Sequence, residues 1–286
     1  MMTSVDRLSP LLEQFRVRAH VLHTGPLCGV TRFGAGEGRG FLHLIRSGDL
    51  TVEHRVPGAG PRRVVVTEPS VLFYPRPLAH DFHTDAEGDC DFACATVEFE
   101  GGALHPLARA LPPVVIVPLA RVDGLEEALA LLFGEIDRHR CGHRVVADRL
   151  FEVVLLQLLR WLLDHTGAVA MPPGLLTGIA DPQLAGVLLA IHESPGDNWT
   201  LATMAQRAAL SRSAFAARFR EIVGQTPLEY LTAWRLAVAQ LRLQAGRPVK
   251  AVAAELGYAN SSALSRVFTQ KVGRSPTAWL AARDQG

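Results

Sequence analysis

Residues 249–280, VKAVAAELGYANSSALSRVFTQKVGRSPTAWL, repeat the plan of residues 201–231, LATMAQRAALSRSAFAARFREIVGQTPLEYL. Each stretch predicts a short helix with an Ala-rich centre, a tight turn and a second helix. The second helices carry Arg218-Phe219 and Arg266-Val267-Phe268, and they lead to Gly224-Gln225-Thr226-Pro227 and Gly273-Arg274-Ser275-Pro276. Gly just past a helix end, with Ser, Thr or Pro at the next start, is the punctuation expected of short consecutive helices. Ala205 and Ala253 are small enough for the paired helices to cross closely. Ser211, and Ser261 or Ser262, stand where a side chain can cap the second helix of each unit. Leu210, Phe215, Phe219 and Val223 form the inward set of the first unit, and Tyr258, Leu264, Phe268 and Val272 that of the second. Facing outward are Arg212, Ser213, Ala216 and Arg220, then Ser261, Ser262, Ser265 and Arg266. A helix whose outer face is small, polar or cationic can enter a DNA major groove. An all-helical module that binds a protein partner would show the same short helices. Two units in tandem, joined by one long helix over 227–245, favour DNA.

The stretch GYANSSALSRVFTQKVGRSPTAW (257–279), with the flanking sequence from about residue 183 to 282, resembles the AraC/XylS family of bacterial transcription regulators. The resemblance implies two helix-turn-helix units bridged by a long helix, reading consecutive major-groove segments of promoter DNA. Carried over position by position, it places base readers at Ser213, Ala216 and Ala217, and at Ser262, Ser265 and Arg266. Ala217 stands where that family often has Arg, and Leu264 where it often has Phe. The first unit is therefore expected to read bases by methyl contact and shape. Phosphate contacts are expected from Arg212, Arg220, Lys250, Lys271, Arg274 and helix N-termini, the plain alternative for each cation being a solvated surface charge. RNA polymerase is a candidate partner on the same resemblance.

The rest of the chain bears on this by its length and charge. At 286 residues it has room for two domains. Its 48% hydrophobic and 20% charged residues exclude a disordered chain. The net charge of +1 conceals a split: residues 181–286 carry twelve Lys and Arg against seven Asp and Glu, and residues 1–180 carry seventeen against twenty-one. A basic C-terminal third suits a polyanion. Ten of the eleven histidines and all four cysteines precede residue 181. Four unevenly spaced cysteines do not make a disulfide framework, which points to a reducing, cytoplasmic setting. The start, MMTSVDRLSPLLEQF, does not read as a signal peptide. The apolar run 145–163 is broken by Asp148, Arg149, Glu152, Gln157 and Arg160, so no membrane partner is expected.

Residues 20–120 read as β. Short apolar runs at 29–33, 40–45, 50–55, 63–67, 71–74 and 92–99 alternate with Gly- and Pro-rich turns. From Leu125 to His165 the period becomes helical. The expected fold class is α+β: a cupin-like sensor barrel over 1–122, a helical dimerisation region over 123–167, a linker over 168–182 and the double helix-turn-helix over 183–286. The segments FLHLIRSGDLTVE (41–53), YPRPLAHDF (74–82) and FACATVEFEGGALHPLARALPPVVIV (92–117) resemble the cupin-type sensor domains found ahead of AraC-type DNA-binding domains. A jelly-roll interior suits a small-molecule effector or a metal. His43, His80, Cys94 and His105 are the candidate ligands for a divalent metal such as zinc, with His83 as the alternative to His80. Cys90 and Cys94 fall on one side of a regular strand but about 13 Å apart, so they do not share a metal unless the strand begins after Cys90. The two-His-and-Glu strand pattern usual in cupins is not intact. Buried thiols that act as small apolar groups, around a dry or organic-ligand pocket, are the competing account. The apolar residues of 145–163 cover more than one helix face, which suits a homodimer. No phosphate-binding Gly loop and no G-x-S-x-G elbow appears. The expected function is sequence-specific transcription regulation. The alternative is a metal-dependent cupin enzyme with an appended DNA-binding domain.

Overall fold

The computed structural model describes residues 6–35, 38–55, 62–85, 90–100, 105–138 and 140–283. The chain forms two compact units. One comprises residues 16–103 and 107–172, the other residues 1–15, 104–106 and 173–286.

The first unit is built on nine strands: β1 (Val17–Leu27), β2 (Val30–Phe33), β3 (Gly40–Ser47), β4 (Leu50–His54), β5 (Arg63–Val66), β6 (Ser70–Tyr74), β7 (His80–His83), β8 (Cys90–Phe99) and β9 (Val115–Pro118). They pair antiparallel in a five-stranded sheet of order β1-β8-β3-β6-β9 and a four-stranded sheet of order β2-β7-β4-β5. Among the described residues no ladder joins the two sheets, so the expected barrel is a sandwich. Side chains alternate across each strand. Phe41, His43 and Ile45 on β3 therefore meet Cys90, Phe92 and Cys94 on β8 and Leu72 and Tyr74 on β6, within one buried core.

The helices α3 (Leu125–Arg138) and α4 (His143–Asp164) fall where the helical period places them. They pack on each other, and α4 packs on β1. Asp148 on α4 accepts from the Val21 backbone N–H at 2.7 Å, beside the register shift between Val21 and His23. This explains why β1 is hard to read from sequence. Its ladder is interrupted, all but two of its residues are exposed or half-buried, and a carboxylate from a distant helix satisfies the freed N–H.

The second unit contains α1 (Ser9–Gln14), α5 (Leu175–Ala180), α6 (Ala185–Glu193), α7 (Leu201–Arg207), α8 (Arg212–Val223), α9 (Pro227–Gln244), α10 (Val249–Glu255), α11 (Ser261–Val272) and α12 (Pro276–Arg283). The short helix α2 (Pro106–Ala110) lies between β8 and β9 in sequence. Residues 175–180, part of the stretch whose Pro and Gly suggest a connection, are helical because Leu175, Leu176 and Ile179 are buried. Burial outweighs the local breakers there. Among the described residues no helix is long and apolar enough to cross a membrane.

Candidate nucleic-acid interface

Helices α7–α8 and α10–α11 form two turns of the same design. Ala205 and Ala253 are buried at the crossings. After each first helix one residue takes a left-handed conformation, Ala209 at φ 53° and Gly257 at φ 72°. The next backbone N–H reaches back to the helix, from Leu210 to the Ala205 carbonyl at 3.0 Å and from Tyr258 to the Ala253 carbonyl at 2.9 Å. The second helix of the first unit is capped by Ser211, whose hydroxyl accepts from the Ala214 N–H at 3.2 Å. In the second unit the cap is Asn260, accepting from the Ala263 N–H at 2.9 Å, and not Ser261 or Ser262. The second turn is one residue longer, which moves both serines into the first helical turn.

Aligned from their last residues, Val223 and Val272, α8 and α11 put Ala216 opposite Ser265 and Ala217 opposite Arg266. Arg212, Ser213, Ala217, Arg220, Lys250, Ser262, Arg266, Lys271 and Arg274 are exposed, and Ala216, Ser261 and Ser265 are half-buried. None of the twelve candidate contact residues is buried. Of the inward sets, Phe215, Phe219, Val223, Leu264 and Phe268 are buried, while Leu210, Tyr258 and Val272 are half-buried.

The cations of this unit fall into two classes. Among the described residues, Arg212, Arg220, Lys250, Arg266, Lys271 and Arg274 have no ion-pair partner. Six others are tied into the fold: Arg7 and Arg207 donate to the carbonyls of Ile179 and Gly186, at 3.4 and 3.2 Å, and four more are held as follows. Arg218 pairs with Asp181 at 2.6 Å, and Asp181 also accepts from the Gln183 and Leu184 N–H groups at 3.0 Å. Arg242 and Arg247 converge on Glu255, at 3.0 and 3.1 Å. Arg235, on the connecting helix α9, donates to the carbonyls of Pro195 at 2.7 Å and Asp197 at 2.9 Å, and its guanidinium lies 5.7 Å from the Tyr258 ring centre.

Arg235 and Gly196 are positioning residues that sequence reasoning missed. Gly196 sits so close to the second turn that a Cβ would overlap the Glu255 carbonyl oxygen, and a Cβ on Gly257 would overlap the Gly196 carbonyl oxygen. Arg235 holds the 195–197 loop in that place. The signal available in sequence was SPGDN (194–198), which reads only as a helix break.

The candidate metal ligands are not assembled as a set. His43 and His80 are fully buried with their Nε2 atoms 2.9 Å apart. The Leu78 carbonyl, 2.7 Å from His80 Nδ1, can only accept, so that nitrogen carries the proton and His80 Nε2 accepts from His43 Nε2–H. His43 Nδ1 is left buried without a partner. Burial lowers the pKa of both rings, that of His80 to about 4. Cys94 faces His43 across the β3–β8 ladder, and burial pushes its thiol well up. Cys90 is the first residue of β8 and takes its own place in the core. His105 belongs to the other unit, where it stands edge-on to Phe15 with ring centres 5.4 Å apart. His83 is half-buried, 3.6 Å from Glu53. Zinc takes three or four such ligands, and among the described residues no group of three or more His, Cys, Asp or Glu is placed to hold a metal ion. A resident zinc ion therefore does not fit this donor set. Rings fill the space instead: Tyr74 stacks on His80 with centres 3.9 Å apart, and Phe33, Phe41 and Phe82 lie 4.6–5.6 Å from His43.

Comparison with known proteins follows the same division of the chain. The Cupin family model matches residues 6–164, and the Helix-turn-helix domain model matches residues 204–282. The chain is 40% identical over 169 residues to a protein of Streptomyces antibioticus named an AraC-like transcription regulator, across 58% of this chain and 55% of the relative. It is 31% identical over 176 residues to the HTH-type transcriptional regulator AlkR of Acinetobacter baylyi, across 60% and 56%. It is 28% identical over 213 residues to the RCS-specific HTH-type transcriptional activator RclR of Escherichia coli, across 72% and 73%. The chain thus spans little more than half the length of the first two of these relatives. With a cupin match over more than half of its residues and a helix-turn-helix match on the tandem units, the chain belongs to the cupin family, in the AraC-like form that joins an N-terminal cupin domain to a C-terminal AraC-type helix-turn-helix domain.

Proposed function

We propose that the chain is a sequence-specific transcription regulator that binds promoter DNA through α8 and α11 and senses a small molecule through its cupin domain. The observation that carries the proposal is the sorting of the cations. Six of those on and beside the two outward helices are exposed and have no ion-pair partner among the described residues, while Arg218 on α8, with Arg207, Arg235, Arg242 and Arg247, makes internal bonds. Unpaired cations around helices with small outward residues suit phosphate contact with base reading between. The connecting helix α9 has 18 residues and is about 27 Å long, a length comparable to one duplex turn. The relatives are named as regulators, which supports the same account. The alternative of a metal-dependent cupin enzyme requires a metal centre that the His43–His80 pair does not supply.

Arg266 is assigned to a base edge. Arg266→Ala is expected to cost about 1–3 kcal/mol of affinity and to relax preference at one base position. The measurement is a selection of bound sequences from a random pool with both proteins. Equal weakening on all sequences would reassign Arg266 to phosphate. A genome-wide map of bound DNA tests the function itself, and the absence of any enriched site would remove it.

The regulator is further proposed to be a dimer through its helix pair. Leu131 on α3 and Val145, Val146, Val153 and Leu156 on α4 are exposed apolar side chains. A second copy laid on the same helices would cover them. Sedimentation of Val153→Glu as a monomer beside a dimeric parent supports this, and an unchanged mass contradicts it.

A further inference from the structure

An open, shallow cavity of about 490 Å³ lies on the surface of the first unit, away from the His43–His80 core. Arg76 and Arg109 are among the residues that line it. Arg76, from the YPRP stretch after β6, donates through Nη1 to the carbonyls of Ala108 and Leu111, the latter at 3.0 Å, and is thereby fixed at the end of α2. Arg109, from the last turn of α2, is exposed. Among the described residues neither has a carboxylate partner. Burial first, and the Arg109 charge second, disfavour the Arg76 cation. Two like charges are therefore held beside one cavity with no counter-ion from the described residues. The remaining walls are apolar: Leu111, Pro112, Pro113 and Pro172. The volume is within the range of small-molecule sites, about 300–1,000 Å³.

We propose that this cavity binds a small organic anion with an apolar body, its carboxylate paired with Arg76 and Arg109 and its hydrocarbon part lying on Leu111 and the prolines. Arg–carboxylate pairs are among the stronger hydrogen-bonded contacts, and a fixed guanidinium loses little freedom on binding. Proline walls are rigid and add apolar contact at low entropic cost. Ala170 and Pro172 also line the cavity, and the chain passes into the other unit at Pro173. An occupant would therefore touch the last residues before the crossing, where a sensed molecule can alter the freedom of the connection. The binding itself is independent of the DNA-binding proposal, and its test uses no DNA.

The probes are octanoate, octan-1-ol and inorganic sulfate, titrated calorimetrically into the full-length chain and into Arg109→Glu. Octanoate is expected to bind saturably, one per chain. Octanol and sulfate are each expected to bind at least about tenfold more weakly, as is octanoate to Arg109→Glu, a loss equivalent to one lost charged contact. Arg109 is exposed, so an unchanged melting temperature of the variant is the check that it still folds. Equal binding of octanoate and octanol, or retained binding by the folded variant, would overturn the carboxylate–Arg pairing. Sulfate binding as tight as octanoate would overturn the apolar half of the site.

Discussion

Replacing Gly257 by alanine is expected to cost about 3 kcal/mol of stability in the helical unit and to disable the second helix-turn-helix. Two effects add. At φ 72° an L-residue is strained by about 1–2 kcal/mol. In addition the new Cβ would overlap the Gly196 carbonyl oxygen, which cannot simply withdraw. The loop that carries it is held by Arg235 through the Pro195 and Asp197 carbonyls. Two comparisons separate the effects. Gly246 has a similar φ of 77° but open space around its Cβ, so Gly246→Ala is expected to cost only about 1 kcal/mol. Ala209 holds the equivalent left-handed position in the first unit, and Ala209→Gly should be neutral or stabilising by up to about 1 kcal/mol. Urea unfolding of the four proteins measures all of this. Equal costs for Gly257→Ala and Gly246→Ala would show that the loop does not brace the turn.

The second large effect is acid destabilisation of the sandwich. His43 and His80 are neutral in the fold because burial lowers their pKa values, and they ordinarily titrate near 6.5. The unfolded chain thus binds more protons as pH falls below about 6.5, and the folded state is disfavoured. Stability is full above that pH and is lost progressively down to about pH 4, where His80 itself titrates. For His80 alone the loss is about 3 kcal/mol across this window, at about 1.4 kcal/mol per pH unit, and His43 adds to it. The helical unit carries the same liability in His105, lowered to about 4, and His192, lowered to about 3. Amide hydrogen exchange of β3 and β6 therefore isolates the sandwich. Replacing both partners, His43→Leu with His80→Leu, should flatten the pH dependence of those strands without leaving an unmatched polar atom. If exchange in these strands accelerates equally in parent and double variant as pH falls, the pair is not the cause.

Much of the helical unit was legible in sequence because its signals are local. Glycines and caps mark each helix end, and Phe215, Phe219, Leu264 and Phe268 keep a strict period. The proposed contact residues are the ones that core leaves outside. The parts that were not legible depend on partners distant in the chain. Asp181 and Arg218 are 37 positions apart, and nothing local tells Arg218 from the neighbouring Arg220, yet Arg218 makes an internal bond and Arg220 has no ion-pair partner among the described residues. The same is true of Arg235. In the sandwich, β7 is only four residues long, HDFH, and its histidines and aspartate obscure the alternation that its burial shows. His43 and His80 meet because β3 and β7 lie in facing sheets, which strand spacing does not reveal. His105 carries a ligand's chemistry but lies in the other unit. The Asn260 cap differs from the serine expected because a turn lengthened by one residue leaves no trace in the apolar period.

The helices α8 and α11, with six cations on and beside them that have no ion-pair partner among the described residues, are proposed to form the DNA-binding surface. The most direct measurement is fluorescence anisotropy of the purified chain on a labelled fragment from upstream of its own gene, as a function of salt. Five phosphate contacts, from Arg212, Arg220, Lys250, Lys271 and Arg274, predict a slope of log affinity against log salt of about −4.5. With Arg212, Arg220, Lys250, Arg266, Lys271 and Arg274 all changed to Gln, the slope should fall close to zero. A parent slope near zero, or a steep slope that survives those six changes, would contradict the account.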